Sequence, residues 1–105
     1  MNESLVKVNL ITRTKSGRDP MNQIIYTETG RTVYAQTRPV SRSEYLTAGQ
    51  LGISPELFLV VSAFDYKGEL LLEYNGQKFR IYRTYIRNGN ETELYCTYAA
   101  GANGG

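Results

Sequence analysis

The stretch that most constrains the fold is residues 69–82, in which Asn75-Gly76 lies between two runs of strand-forming residues. A type I′ turn needs positive φ at both central positions, and Asn-Gly accepts that conformation most readily. The opposite charges of Glu73 and Lys78 support the register that this turn fixes, and a shift by one residue would exchange the buried and exposed faces. The predicted cross-strand pairs are Tyr74–Gln77, Glu73–Lys78, Leu72–Phe79, Leu71–Arg80 and Leu70–Ile81.

Further strands are predicted on both sides of this hairpin, whose second strand continues to residue 87, where Asn88-Gly89-Asn90 forms another turn. Glycine, proline and polar residues predict a loop at residues 13–22 and a turn at Gly30. Short strands separated by turns are typical of a small antiparallel β-barrel or sandwich, here a single domain spanning residues 1–105. The other predicted strands are residues 5–12, 23–29, 32–37, 57–64 (buried on both faces) and 92–98.

One short helix is predicted between the strands that end near Arg38 and begin near Leu57. Pro39 ends the first of these strands because proline cannot donate to a ladder. The sequence from Ser41 to Glu44 fits the S-x-x-E capping box, in which each side chain bonds the other residue's amide. The helix should span Arg42–Gln50, with Gly49 and Gly52 as possible terminators. Its expected packing residues are Tyr45, Leu46 and Ala48.

The composition excludes several classes of function. The chain has no histidine and one cysteine, so a Cys/His zinc site, an intramolecular disulfide and histidine-based catalysis are all excluded. No catalytic constellation or phosphate-binding loop is present, which predicts a non-enzymatic protein without cofactors, and Cys96 is predicted to be a small core residue. The net charge of +2 is weak for a nucleic-acid-binding domain. No secretory signal and no apolar run long enough for a membrane helix is present.

The middle of the chain resembles the head–tail joining, or head closure, family of long-tailed bacteriophages. The pattern runs VYAQTRPVSRSEYLTA over residues 33–48 and LLLEYNGQKFRIY over residues 70–82. The chain departs from it at Tyr34, where tryptophan is common, and at residues 57–66, which lack an arginine-rich strand. The positions that match the pattern are Pro39, Ser41, Glu44, Ala48, Tyr74, Gly76 and Phe79.

The resemblance implies a small β-barrel that forms a hexameric or dodecameric ring at the capsid–tail junction of the virion. Its neighbours would be the portal adaptor protein and the tail terminator or tail tube protein, with packaged double-stranded DNA in the channel and no membrane. Residues 39–56 would form the channel plug, and Arg38 and Arg42 could meet DNA phosphates there. The expected channel-facing residues are Arg38, Pro39, Arg42, Glu44, Tyr45, Gly49, Gln50 and Gly52. The expected contacts with neighbouring subunits or the adaptor are Arg13, Lys15, Arg18 and Tyr98.

Three alternatives remain open at the level of sequence. The first is a nucleic-acid-binding barrel of the oligonucleotide-binding type, with Tyr34, Tyr82 and Tyr85 as stacking platforms. The second is a tail-completion protein, which shares the barrel architecture. In the third, the helix only caps an open end of the barrel. The loop at residues 13–22 and the tail at residues 99–105 are expected to become ordered only against neighbouring subunits or the adaptor.

Overall fold

Six antiparallel strands close into a barrel, and when they are numbered along the chain their order around the barrel is one, two, three, six, five, four. The computed structural model describes residues 5–99, so the predicted tail beyond Ala99 lies outside the described residues. A short helix follows the second strand and precedes the third strand along the chain, and these two strands are neighbours in the barrel. This confirms the predicted all-β class with one inserted helix. The elements are β1 (Leu5–Arg18), β2 (Ile24–Arg38), α1 (Arg42–Gln50), β3 (Leu57–Ser62), β4 (Leu71–Tyr74), β5 (Gln77–Arg87) and β6 (Glu91–Tyr98).

The β4–β5 hairpin has the register that the sequence predicts. Asn75 and Gly76 have φ values of 58° and 76°, as a type I′ turn requires. The four predicted pairs from Tyr74–Gln77 to Leu71–Arg80 are all present, and the amide of Ile81 donates to the carbonyl of Leu70. The Leu70 side chain, however, is 70% exposed. Leu70 precedes β4, and its prediction as part of the apolar face was wrong.

The core fills the inside of the barrel with aliphatic side chains from all six strands. Leu59, Leu72 and Leu94 are completely buried, and Cys96 lies among them, as predicted. The predicted strand at residues 57–64 ends earlier, at Ser62, and the Phe64 side chain in the following turn is 82% exposed. Strand β3 pairs with β2 on one side and β6 on the other, which confirms it as a central strand.

The predicted loop at residues 13–22 and the predicted turn at Gly30 were wrong. Strand β1 continues through Arg18 and pairs with β2 along its length, from Leu5–Gln36 to Arg18–Ile24. A register shift between Lys15 and Gly17 leaves Ser16 without a partner in the β2 register, and Gly17, which suggested a break, pairs with Ile25 within the ribbon. Gly30 is paired with Ile11 in the middle of β2. Residues 19–23 alone form the turn, where the Asp19 carboxylate accepts from two backbone amides.

Residues 12–29 form a two-stranded arm that extends beyond the barrel. Strand β1 pairs with β4 only through Ile11, and β2 pairs with β3 only from Ala35 onward, so the arm residues have no strand partner outside the arm. Every side chain of the arm is exposed except the half-buried Asp19. The arm accounts for the elongated shape of the chain, whose principal extents are 53 × 31 × 24 Å.

An ion pair between a buried carboxylate and a partly exposed arginine lies near the point where the arm leaves the barrel. The Glu69 carboxylate accepts from Arg31 at 2.5 Å and from the backbone amide of Lys67 at 2.8 Å. Burial alone would raise the pKa of Glu69, but these hydrogen bonds outweigh it and hold the pKa below its ordinary value. Tyr66 donates its hydroxyl to the Glu69 carbonyl at 2.6 Å, which fixes the chain between β3 and β4.

Candidate functional site

Residues 39–56 connect β2 to β3 and carry the predicted helix with its predicted bounds. The Ser41 hydroxyl accepts from the amide of Glu44 at 3.1 Å, so Ser41 is the N-cap. At the other end, Gly52 has a φ of 75°, and its amide donates to the carbonyl of Gly49. The amide of Ile53 donates to the carbonyl of Ala48, which completes a Schellman motif. Gly52 therefore terminates the helix, while Gly49 lies within it.

The second half of the predicted capping box is replaced by a contact with the barrel. The Glu44 side chain, which is 5% exposed, accepts from the Tyr82 hydroxyl at 2.7 Å and pairs with the Arg83 guanidinium. Burial, together with the hydrogen bond to Glu44, raises the pKa of Tyr82, and the same carboxylate raises the pKa of Arg83. Glu44, expected to face the channel, thus anchors the helix to β5 within the chain.

The contact of Glu44 with Tyr82 and Arg83 lies beside a stack of planar side chains on the outside of the barrel. Phe58 and Tyr95 stack with their ring centroids 4.3 Å apart, and the Arg83 guanidinium lies 4.1 Å from the Tyr95 ring centroid. The neighbours Leu59 and Cys96 point into the core, so Phe58 and Tyr95 face outward, because successive side chains of a strand alternate. Residues 39–56 therefore cover the outer wall formed by β3, β6 and β5, and do not cap an open end of the barrel.

Burial and a hydrogen bond to Glu93 raise the pKa of Tyr95 to about 12, which keeps the phenol neutral beneath the guanidinium of Arg83. This stack was not predicted from the sequence. The sequence of β5 did carry a signal, at the point where the structure shows a register shift between Ile81 and Arg83. The apolar alternation of Phe79 and Ile81 stops there, and Tyr82-Arg83 brings a phenol and a cation to the wall.

The side of the helix that faces away from the barrel carries two of the apolar residues that were predicted to pack on the barrel. Tyr45 and Leu46 are 51% and 64% exposed, so the expectation that they pack on the barrel was wrong. Ala48 alone of the three predicted packing residues is buried, and Leu51, just past the helix, is 74% exposed. No Cα atom of the helix lies within 8 Å of a Cα atom of any strand in residues 5–99, so long side chains bridge the gap.

The remaining predicted channel residues lie along the same connection. Arg38 ends β2 opposite Phe58, is half-buried and donates to the Gln36 side chain at 3.1 Å. Pro39 follows it at the surface, and Arg42 and Gln50 are exposed at the two ends of the helix. The structure thus brings all eight predicted residues into one segment but divides them between inward and outward sides.

The predicted subunit or adaptor contacts are on different elements. Arg13, Lys15 and Arg18 lie on the β1 strand of the arm, while Tyr98 ends β6 and stacks on Phe79 at 5.4 Å. The Glu28 carboxylate accepts from Arg13 and from Lys78 of β5, each at 2.7 Å. These cations, Lys78 first, lower the pKa of Glu28 below its ordinary value. The ion pair with Lys78 thereby attaches the arm to the barrel wall. Glu28 is the one carboxylate among residues 12–29 that forms an ion pair.

Among residues 5–99, no cluster of three or more histidine, cysteine or acidic side chains is placed to hold a metal ion. Burial raises the pKa of the Cys96 thiol to about 12, so the thiolate is not formed at neutral pH. None of the helices in the described part of the chain has the length and apolarity needed to cross a membrane.

Comparison of the sequence with protein-family models and with curated proteins found no match.

Proposed function

We propose that the chain is a structural head-closure protein of a long-tailed bacteriophage, in which a ring of copies closes the DNA channel below the portal adaptor and presents a docking surface to the tail. The observation that carries the proposal is the insertion of residues 39–56 between two adjacent antiparallel strands. Arg38 and Phe58 are already paired across β2 and β3, so a short turn would suffice to connect them. The chain instead places a capped helix there, at the position that corresponds to the plug segment of the family it resembles.

The construction of this insertion suits an element that gates a channel. Glu44 fixes its inner side to the barrel and Ala48 is buried, whereas the side chains of Tyr45, Leu46 and Leu51 are exposed. An exposed apolar side chain on an isolated helix contributes nothing to the chain's own core, but copies arranged around an axis can pack these side chains against one another. Modest contacts at each copy then add to one barrier across the channel.

The charges at and near residues 39–56 allow DNA to pass close to this segment in the channel. Arg42 is exposed at the start of the helix, whereas Arg38 is half-buried and bonded to Gln36. Arg42 is therefore the residue placed to approach a phosphate, and one such contact in each copy gives a ring of positive charge around the duplex. The buried Glu44 is neutralised by Arg83 and does not oppose this attraction.

The alternative of a nucleic-acid-binding barrel loses one of its three stacking platforms. Tyr34 and Tyr85 are each 57% exposed, but the Tyr82 hydroxyl is bonded to Glu44 beneath the helix. A base could stack on Tyr82 only if the helix left the wall. The two exposed tyrosines belong to β2 and β5, which are not neighbours in the barrel, so they do not form a continuous platform.

The plug is tested by removing its outward apolar side chains and keeping its anchor. We expect the triple variant Tyr45→Ser, Leu46→Ser, Leu51→Ser to fold with the parent's unfolding midpoint, because all three side chains are exposed. Heads assembled with it should package DNA but lose it before tail joining, which the amount of nuclease-protected genome in tailless heads would measure.

The matched control is Leu70→Ser, which removes another exposed leucine from a segment outside the insertion. Heads with this variant should retain DNA as the parent does. If the triple variant also retains DNA, residues 39–56 are a structural cover of the outer wall and not a plug. Imaging of the assembled particle, which locates the ring relative to the head and the tail, tests head closure against tail completion.

A further inference from the structure

The turn end of the arm carries unpaired cations beside exposed apolar side chains. Neither Lys15 nor Arg18 has an ion-pair partner within residues 5–99, and the Arg18 guanidinium is held at the turn by donating to the Asn22 carbonyl. Met21 and Ile24 are 77% and 38% exposed next to them. We call these residues the arm tip. Methionine and arginine are enriched at protein–protein interfaces, and two cations are too few for binding to DNA alone.

Three grooves on the barrel surface differ in their charge. The largest, of about 430 Å³ at the base of the arm, is lined by Lys67 and Arg80, and its carboxylate Glu69 is already bonded to Arg31. The smallest, of about 280 Å³, balances one lysine, Lys7, with one glutamate. The first of these grooves repels a basic tip, and the second gives it no net attraction.

The third groove, of about 330 Å³, has the complementary character. It is lined by two carboxylates and no lysine or arginine, together with the exposed apolar side chains of Leu5 and Tyr34. The Asp65 carboxylate has no ion-pair partner among the described residues, and Glu91 is contacted by Arg87 at 3.5 Å. We call this groove the acidic notch, defined by Leu5, Tyr34, Val60, Asp65 and Glu91. It can receive a cation and an apolar side chain at the same time.

The arm tip cannot reach the notch of its own chain. Ile24 in the tip and Tyr34 in the notch both belong to β2, ten residues apart along one strand. At about 3.3 Å per residue, the strand holds them about 33 Å apart. A tip and a notch can therefore meet only between two copies of the chain, with different surfaces used on each copy.

We propose that the arm tip of one copy docks in the acidic notch of a second copy. The contact is heterologous, so the first copy keeps a free notch and the second keeps a free tip, and repetition leads to a closed ring when the rotation between copies closes. This inference rests on the proposed ring and names the contact that forms it. It also gives the exposed apolar side chains of the arm tip a partner that buries them.

Charge reversal tests the proposal on the purified chain, without heads or tails. Sedimentation velocity over a range of concentrations should show self-association of the parent that weakens as salt is raised. The arm variant Lys15→Glu, Arg18→Glu and the notch variant Asp65→Lys, Glu91→Lys should each weaken it at least about tenfold. An equimolar mixture of the two variants should associate again, because an acidic tip then faces a basic notch.

The matched control reverses the cations of the largest groove with Lys67→Glu, Arg80→Glu and should leave association unchanged. Asp65→Asn with Glu91→Gln provides a milder notch variant if the double reversal unfolds. A monomeric parent at all concentrations, or a reversed notch that associates like the parent, overturns the proposal. So does a parent that stays monomeric yet binds duplex DNA through Lys15 and Arg18. Loss of DNA retention in heads plays no part in this test, so the two proposals fail separately.

Discussion

The hairpin of β4 and β5 is part of the barrel wall, whereas the arm of residues 12–29 leaves it, although both are antiparallel ribbons joined by tight turns. In the β4–β5 hairpin, Leu72 and Phe79 form an apolar pair that is almost completely buried. At the corresponding positions of the arm, threonine faces threonine, Thr12 opposite Thr29 and Thr14 opposite Thr27. Threonine favours the strand conformation without supplying apolar surface to a core.

The comparison shows that strand propensity and burial are separate properties of a sequence. An isolated two-stranded ribbon is marginally stable in water, so the arm depends on what it touches. Within the chain that is the pairing of Glu28 with Arg13 and Lys78, which is exposed and therefore weak. The β4–β5 hairpin depends instead on hydrophobic burial, which does not require a second chain.

The largest expected effect comes from deleting the same kind of side chain in each ribbon. Leu72→Ala should lower the free energy of unfolding by about 2–5 kcal/mol, because Leu72 is fully buried and its loss leaves a cavity. Ile25→Ala in the arm, where the side chain is 42% exposed, should change it by less than about 0.5 kcal/mol. Urea denaturation of the purified monomer measures both. Equal losses would mean that the arm belongs to the cooperative core.

Much of the barrel could be predicted from sequence because local signals and burial agree there. The Asn-Gly turn fixed the β4–β5 register, and Ser41 and Gly52 fixed the ends of the helix. The β1 half of the arm could not be predicted, unlike the β2 half at residues 23–29, because Gly17 and Pro20 resemble loop residues and nothing apolar alternates around them. A bulge and a cross-strand ladder of threonines, which depend on the partner strand, kept the chain extended instead.

The segment of the chain that forms the candidate site was predicted, but the contacts that its residues make with the barrel were not. The family resemblance pointed to residues 39–56, and the S-x-x-E spacing identified the cap at Ser41, which is a local feature. The pairing of Glu44 with Tyr82 and Arg83 joins residues almost forty positions apart, and only the closed barrel brings them together. The same holds for the acidic notch, whose carboxylates come from the turn after β3 (Asp65) and from the first residue of β6 (Glu91).

The next expected effect compares the paired carboxylates of the two regions in acid. The pKa of Glu69 in the barrel lies below the ordinary value of 4.5, so its contribution to stability is complete above about pH 4.5 and is lost as the pH falls through the lowered pKa. Glu69→Gln should cost about 1–2 kcal/mol at pH 7 and progressively less below pH 4.5. Urea midpoints measured from pH 7 to pH 3 test this.

Glu28→Gln is the matched variant in the arm. The pKa of Glu28 is also lowered, so its contribution has the same sign and the same acid dependence. It is exposed, however, and the change in unfolding free energy should stay below about 0.5 kcal/mol at any pH. A large acid-dependent loss for Glu28→Gln would show that the arm is as firmly attached as the barrel end.

A smaller difference is expected between two glycines with positive φ. Gly76→Ala strains the turn that fixes the β4–β5 register, where φ is 76°, and should cost about 1 kcal/mol of global stability. Gly17→Ala strains the bulge of the arm, where φ is 139°, but the arm can fray without opening the core. Its effect should be seen in faster amide exchange at residues 13–18 and not in the urea midpoint. A shifted midpoint for Gly17→Ala would couple the arm to the core.

The smallest effect is expected at Gly30, where the two regions join. The φ of Gly30 lies outside the left-handed region, and an added Cβ would meet the Asn9 side chain at 3.7 Å, an ordinary contact. Alanine reduces the freedom of the unfolded chain, so Gly30→Ala should raise the free energy of unfolding by up to about 0.5 kcal/mol. A turn at this position would give the opposite sign, because alanine resists a left-handed conformation. Urea denaturation of Gly30→Ala beside Gly76→Ala therefore decides whether β2 runs continuously from the barrel into the arm.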